Sequence, residues 1–93
     1  MKYWIIAFVF GIVVYSCGNK KINDRDRFFL RGNVALSEKS YDDAVKFYSE
    51  AIKIDPEYAI AYKNRGSTYF EDDDLISSIT DYTKAIRIDG NFT

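Results

Sequence analysis

The chain has no histidine, and only one cysteine and one proline among its 93 residues. Each scarcity removes a class of chemistry. Without an imidazole there is no side chain whose ordinary pKa lies near neutrality for acid–base work. A lone Cys17 cannot close an internal disulfide, and without His or a second Cys it cannot build a structural zinc site. The five glycines form no phosphate-cradling loop. Charge of one sign is not in excess either. Thirteen basic residues face fourteen acidic ones, a net charge of −1, so the clustered basic surplus of a nucleic-acid binder is missing. The acidic run Glu71-Asp72-Asp73-Asp74 lacks the alternating oxygen ligands, Gly turn and distal Glu of a calcium loop. The sequence therefore predicts no catalytic residues, no metal, no cofactor and no nucleic-acid partner. What it has in quantity is aromatic residues, eight Tyr, seven Phe and one Trp, a composition opposite to that of disorder.

The charges are unevenly placed. From Tyr3 to Tyr15 there is none, and apart from Lys2 every charged side chain lies from Lys20 onward. As a helix, Tyr3 to Tyr15 would rise roughly 20 Å, short of the ~30 Å hydrocarbon core of a bilayer. That length suits the apolar core of a signal peptide. Val14-Tyr15-Ser16-Cys17 resembles the lipobox of bacterial lipoproteins, with Val14 aliphatic, Ser16 small and Cys17 last. The resemblance implies cleavage after residue 16 and a lipid on the Cys17 thiol, with residues 17–24 as a polar tether. Two acyl chains suffice for a stable anchor without any spanning helix. An uncleaved N-terminal anchor helix and ordinary secretory cleavage are the alternatives. Gly18 stands where an Asp would retain lipoproteins of some bacteria at the inner membrane, so the resemblance favours the outer membrane of the cell envelope.

The remainder repeats. Tyr48, Ala51, Ile52, Ile54 and Asp55 recur as Tyr82, Ala85, Ile86, Ile88 and Asp89, and Arg31-Gly32 recurs as Arg65-Gly66, always at an offset of 34. That period resembles the tetratricopeptide repeat, a helix-turn-helix unit. The likeness covers two units, 25–58 and 59–92. Phe28, Gly32, Tyr41, Ala44, Ala51 and Pro56 take the family positions in the first unit. Tyr62, Gly66, Leu75, Ser78, Ala85 and Gly90 take them in the second. The departures are Ser78 for Ala, Gly90 for Pro, Lys39 and Asp73 where the turn often has Gly, and Ala35 where the second unit keeps an aromatic, Tyr69. The implied fold is all-α: four antiparallel helices in a short right-handed solenoid after the N-terminal apolar segment.

The residues support the same helices independently. Ala44, Phe47, Tyr48, Ala51 and Ile52 recur at three- and four-residue steps, an amphipathic pattern. Helices are predicted over about Asp24–Glu38, Tyr41–Ile54, Pro56–Glu71 and Leu75–Ile88. Ser40 with Asp43 reads as a capping-box-like start, Asp55-Pro56 as a cap followed by a first-turn Pro, and Asp74 as the fourth cap.

In the family, the first helices of successive units line a concave face that binds partner segments. Carried over by repeat position, that face comprises Phe29, Asn33, Leu36 and Ser37, then Lys63, Asn64, Ser67, Phe70 and Glu71. Asn33 and Asn64 match two positions of the carboxylate clamp of chaperone-binding members. Phe29 replaces the clamp Lys of the first unit, so the clamp is not predicted. With only two units, Leu75, Ile79, Tyr82 and Ile86 of the last helix would lack a neighbour, which predicts self-association or coverage by a partner. The function this implies is a lipid-anchored protein–protein interaction module. The alternative is a structural, oligomerising piece of a longer array.

Overall fold

The computed structural model describes residues 22–90. The predicted signal segment 1–16, the lipidation site Cys17 and most of the tether lie outside these residues. Four helices follow one another: α1 Asp24–Ser37, α2 Tyr41–Ile54, α3 Ala59–Glu71 and α4 Leu75–Ile88. There is no strand among the described residues. α1 pairs with α2 and α3 with α4, and α2 lies against α3 to join the two hairpins.

The two hairpin turns share one construction. Lys39 and Asp73 adopt left-handed backbone, φ 61° and 63°. In the first turn, Lys39 N–H donates to Leu36 O and Ser40 N–H to Ala35 O. In the second, Asp73 N–H donates to Phe70 O and Asp74 N–H to Tyr69 O. This paired closure satisfies carbonyls that a helix end otherwise leaves without donors. α1 opens on Asn23, whose side chain accepts from Asp26 N–H at 2.8 Å. α4 opens on Asp74, whose carboxylate takes both the N–H and the hydroxyl of Ser77.

Packing alternates small residues with rings. Gly32 on α1 sits under the Tyr48 ring, so close that a Cβ there would lie 2.6 Å from the ring carbons. Ala44, Tyr48 and Ala51 on α2 are fully buried, as is Ala61 on α3. Phe28 stacks on Phe47 with centroids 6.5 Å apart. Burying one such aromatic contributes roughly 2–3 kcal/mol. The hairpins are also pinned by charge. Arg65 on α3 holds both carboxylate oxygens of Asp81 on α4, and its Nη1 reaches back 2.9 Å to Ser49 Oγ on α2.

Two predicted starts are corrected. α3 begins at Ala59, not at Pro56. Asp55 ends α2 instead of capping α3, because its carboxylate is already engaged. Oδ2 pairs with Arg25 at 2.8 Å and Oδ1 accepts from Glu57 N–H, which folds 55–57 into a turn. Pro56 contributes its carbonyl to the Tyr62 hydroxyl at 3.0 Å. Ser40 does precede α2, but its side chain makes no capping hydrogen bond. α1 ends at Ser37, one residue before the predicted Glu38.

Candidate functional site

α1 and α3 lie side by side, and their polar contact is an amide pair. Asn64 Nδ2 donates to Asn33 Oδ1 at 3.0 Å, and the Tyr48 hydroxyl donates to the same oxygen at 2.5 Å. Burial pushes the Tyr48 phenol above its ordinary pKa, against the opposing hydrogen bond from Asn64, so it stays a neutral donor. Both lone pairs of Asn33 Oδ1 are thereby used. The remaining amide atoms of the pair are one donor group, Asn33 Nδ2, and one acceptor, Asn64 Oδ1, the two kinds of group that a peptide unit can meet.

The second unit repeats the motif with different chemistry. Ser67 Oγ and Tyr82 Oη stand 2.7 Å apart, at positions equivalent to Asn33 and Tyr48. Thr68 behind them is fully buried and returns its hydroxyl to Asn64 O.

The remaining residues of the predicted face divide by exposure. Phe29 is half-buried, with its ring 5.7 Å from Tyr48 and 5.4 Å from Tyr58, and Arg25 lies 4.0 Å over the Tyr58 ring. Leu36 is half-buried against the cluster of Ala35, Ala44 and Tyr48. Phe70 is 59% exposed at the far end of α3. Lys63, Ser37 and Glu71 are exposed, and the Ser37 hydroxyl is turned back on Val34 O. The face thus has an amide floor with one prominent ring beside it.

A second concavity was not foreseen. On the opposite side of the first hairpin, Leu30, Val34, Ala35 and Phe47 line a cavity of about 700 Å³. Its signal in the sequence is Leu30 and Val34, apolar at repeat positions where the second unit has Asn64 and Thr68. Elsewhere, no three acidic or sulfur side chains converge as metal ligands among the described residues. None of the described helices is long and apolar enough to cross a membrane.

Comparison with known proteins agrees with this geometry. A TPR repeat model matches residues 32–73, and a tetratricopeptide repeat model matches residues 59–92. Hsp70-Hsp90 organizing protein 3 of Arabidopsis thaliana is 41% identical over 63 residues, covering 68% of this chain and 11% of that protein. Human serine/threonine-protein phosphatase 5 is 36% identical over 62 residues, 67% of this chain and 12% of the phosphatase. The small glutamine-rich tetratricopeptide repeat-containing protein 2 of Saccharomyces cerevisiae is 35% identical over 63 residues, 68% of this chain and 18% of that relative. The chain thus spans under a fifth of the length of each of these relatives. Repeat period, helix pairing and both family matches coincide on the same residues: the chain belongs to the tetratricopeptide repeat family, whose repeats are protein-interaction modules.

Proposed function

We propose that the chain is a non-catalytic, membrane-anchored adaptor that holds an extended segment of a partner protein along α1 and α3. The observation that carries the reading is the Tyr48–Asn33–Asn64 network, which ties two half-buried amides together across α1 and α3. Phe70 offers apolar contact beside them, and Lys63 places a cation on the same helix. Backbone recognition of this kind tolerates varied side chains in the partner. Phe29 stands in place of a clamp cation in the first unit, so recognition rests on the peptide backbone rather than on a terminal carboxylate.

Panning a random peptide library on the full chain tests this. Enriched peptides bind the wild-type chain and lose at least about tenfold in affinity with Asn64→Ala/Phe70→Ala, roughly 1.4 kcal/mol. Equal affinity for both proteins overturns the reading.

The anchor is the lipid on Cys17 after removal of 1–16, which places the repeats in a bacterial envelope, outer membrane favoured. Lipobox spacing and the short apolar run support it. An intact mass of the membrane-extracted protein retaining Met1 to Ser16 without added lipid overturns it. Self-association through the outer face of α4, with Leu75, Ile79 and Ile86 all substantially exposed, completes the reading; Tyr82, predicted for the same face, instead turns inward over Gly66 and meets Ser67 Oγ.

A further inference from the structure

The joint between the two hairpins shows what covers what. α3 turns Ala61, Arg65 and Thr68 along one face, at steps of four and three residues, and Arg65 bonds to Ser49 on α2. Ala61 and Thr68 are fully buried there. On the covering side, Val45 and Ile52 of α2 are half-buried. One repeat earlier, the same face of α1 carries Arg27, Arg31 and Val34, and Val34 is 56% exposed. One repeat later, the covering positions are Ile79 and Ile86 on α4, 64% and 44% exposed. The two open faces are therefore the two halves of the internal joint.

Neither half is finished for water. Exposed apolar surface of this kind marks an interaction site, and Leu30 and Val34, 49% and 56% exposed, line the open groove of α1. Val34 replaces Thr68 and Phe47 replaces Asp81, while Arg27 replaces the buried Ala61 and keeps its guanidinium on Asp24 at the exposed edge. The shapes differ in the complementary sense as well. The α1–α2 side offers a concavity of about 700 Å³ lined by Leu30, Val34, Ala35 and Phe47. α4 is the bulkier cover, with Ile79 for Val45 and Ile76 for Asp42. Thr83 keeps a hydroxyl at the Ser49 position for Arg31 to meet, as Arg65 meets Ser49.

We propose that copies of this chain stack head to tail, α4 of one docking on the α1–α2 groove of the next and extending the internal joint. This rests on the self-association reading and supplies its acceptor surface and polarity. The contact is heterologous, so each copy retains one open donor face and one open acceptor face. An opposing electrostatic effect exists. Asp73 takes the place of Lys39 at the turn and approaches Glu38 of the next copy, which weakens the joint at low salt without touching its apolar centre.

The test uses the full chain carrying two different affinity tags, co-expressed and extracted in dodecyl maltoside, with Val34→Asp and Ile79→Asp as variants. Both positions are exposed, and helix content by circular dichroism checks that each variant folds. Wild-type copies co-purify, and so does Val34→Asp with Ile79→Asp, because that pair retains one intact joint. Each variant paired with itself falls at least about tenfold in recovery, since an aspartate is buried in the only joint available. Loss with Ile79→Asp but not with Val34→Asp indicates an α4–α4 contact and overturns the proposal. Retention of every pair, or no co-purification of wild-type copies, also overturns it. Asn64→Ala/Phe70→Ala leaves copy-to-copy recovery unchanged, so failure here is separable from failure of groove binding.

Discussion

Arg65 forks onto Asp81: Nε meets Oδ2 at 2.7 Å and Nη2 meets Oδ1 at 2.8 Å. The carboxylate is nearly sealed from water, its side chain 5% exposed against 19% for the arginine. Removing one partner of such a pair strands the other charge. Asp81→Ala is expected to cost about 3 kcal/mol or more, most of the stability a fold of this size possesses. Arg65→Met/Asp81→Leu, which removes both charges and keeps volume, costs clearly less than the single change. Urea unfolding of the three proteins followed by circular dichroism checks the order.

Gly32 and Gly66 hold equivalent positions but not equivalent room. A Cβ at Gly32 meets two carbons of the Tyr48 ring at 2.6 Å, and that ring is fully buried with nowhere to swing. A Cβ at Gly66 meets Tyr82 Cδ1 at 3.2 Å and its other neighbours at 3.3 Å. Both substitutions gain about 1 kcal/mol of helix propensity. Overpacking outweighs it at Gly32, so Gly32→Ala loses about 1–3 kcal/mol. Gly66→Ala falls well short of that loss. Equal midpoints for the two variants would contradict the packing described.

How much of this was written in the chain depends on the range of the interaction. α2 and α4 were legible to the residue, because their apolar spacing and the polar residues before them are local. The start of α3 was not. Asp55-Pro56 carries a helix-start pattern, but Arg25, thirty positions away, claims the carboxylate. Arg65–Asp81 was missed for the same reason, although a hint existed: Asp81 occupies a position held by an aromatic, Phe47, one repeat earlier. Repeat position put Asn33 and Asn64 on one face. It could not show that they bond to each other and to Tyr48, which depends on how closely α1 and α3 approach.

The left-handed turn residues offer a gain in stability. Lys39 and Asp73 hold a conformation that costs a non-glycine residue about 1–2 kcal/mol. Glycine removes that cost but gives back part of it through a freer unfolded chain. Lys39→Gly is expected to stabilise by about 0.5–1 kcal/mol. Asp73→Gly gains more, because it also thins the acidic run Glu71–Asp74. Lys39→Ala, which keeps the steric cost, gives no gain. Thermal midpoints of the three variants rank the outcomes.

Asp55 makes stability depend on pH at the acid end. The Arg25 guanidinium, and after it the Glu57 N–H, hold its carboxyl below the usual carboxylate range. A folded-state pKa lowered in this way contributes stability above the unfolded value of about 3.9. That contribution disappears as pH falls through the unfolded and then the folded pKa. Asp55→Asn keeps an oxygen for Glu57 N–H but gives up the ion pair with Arg25. The variant should melt below the wild-type chain at pH 7, and the two melting curves should draw together as pH falls from about 5 toward 3. Because the pair is about a third exposed on both sides, added salt should narrow the pH 7 difference. A gap that stays constant across this pH range would mean that the turn at 55–57 owes its stability to hydrogen-bond geometry alone and not to the charge on Asp55.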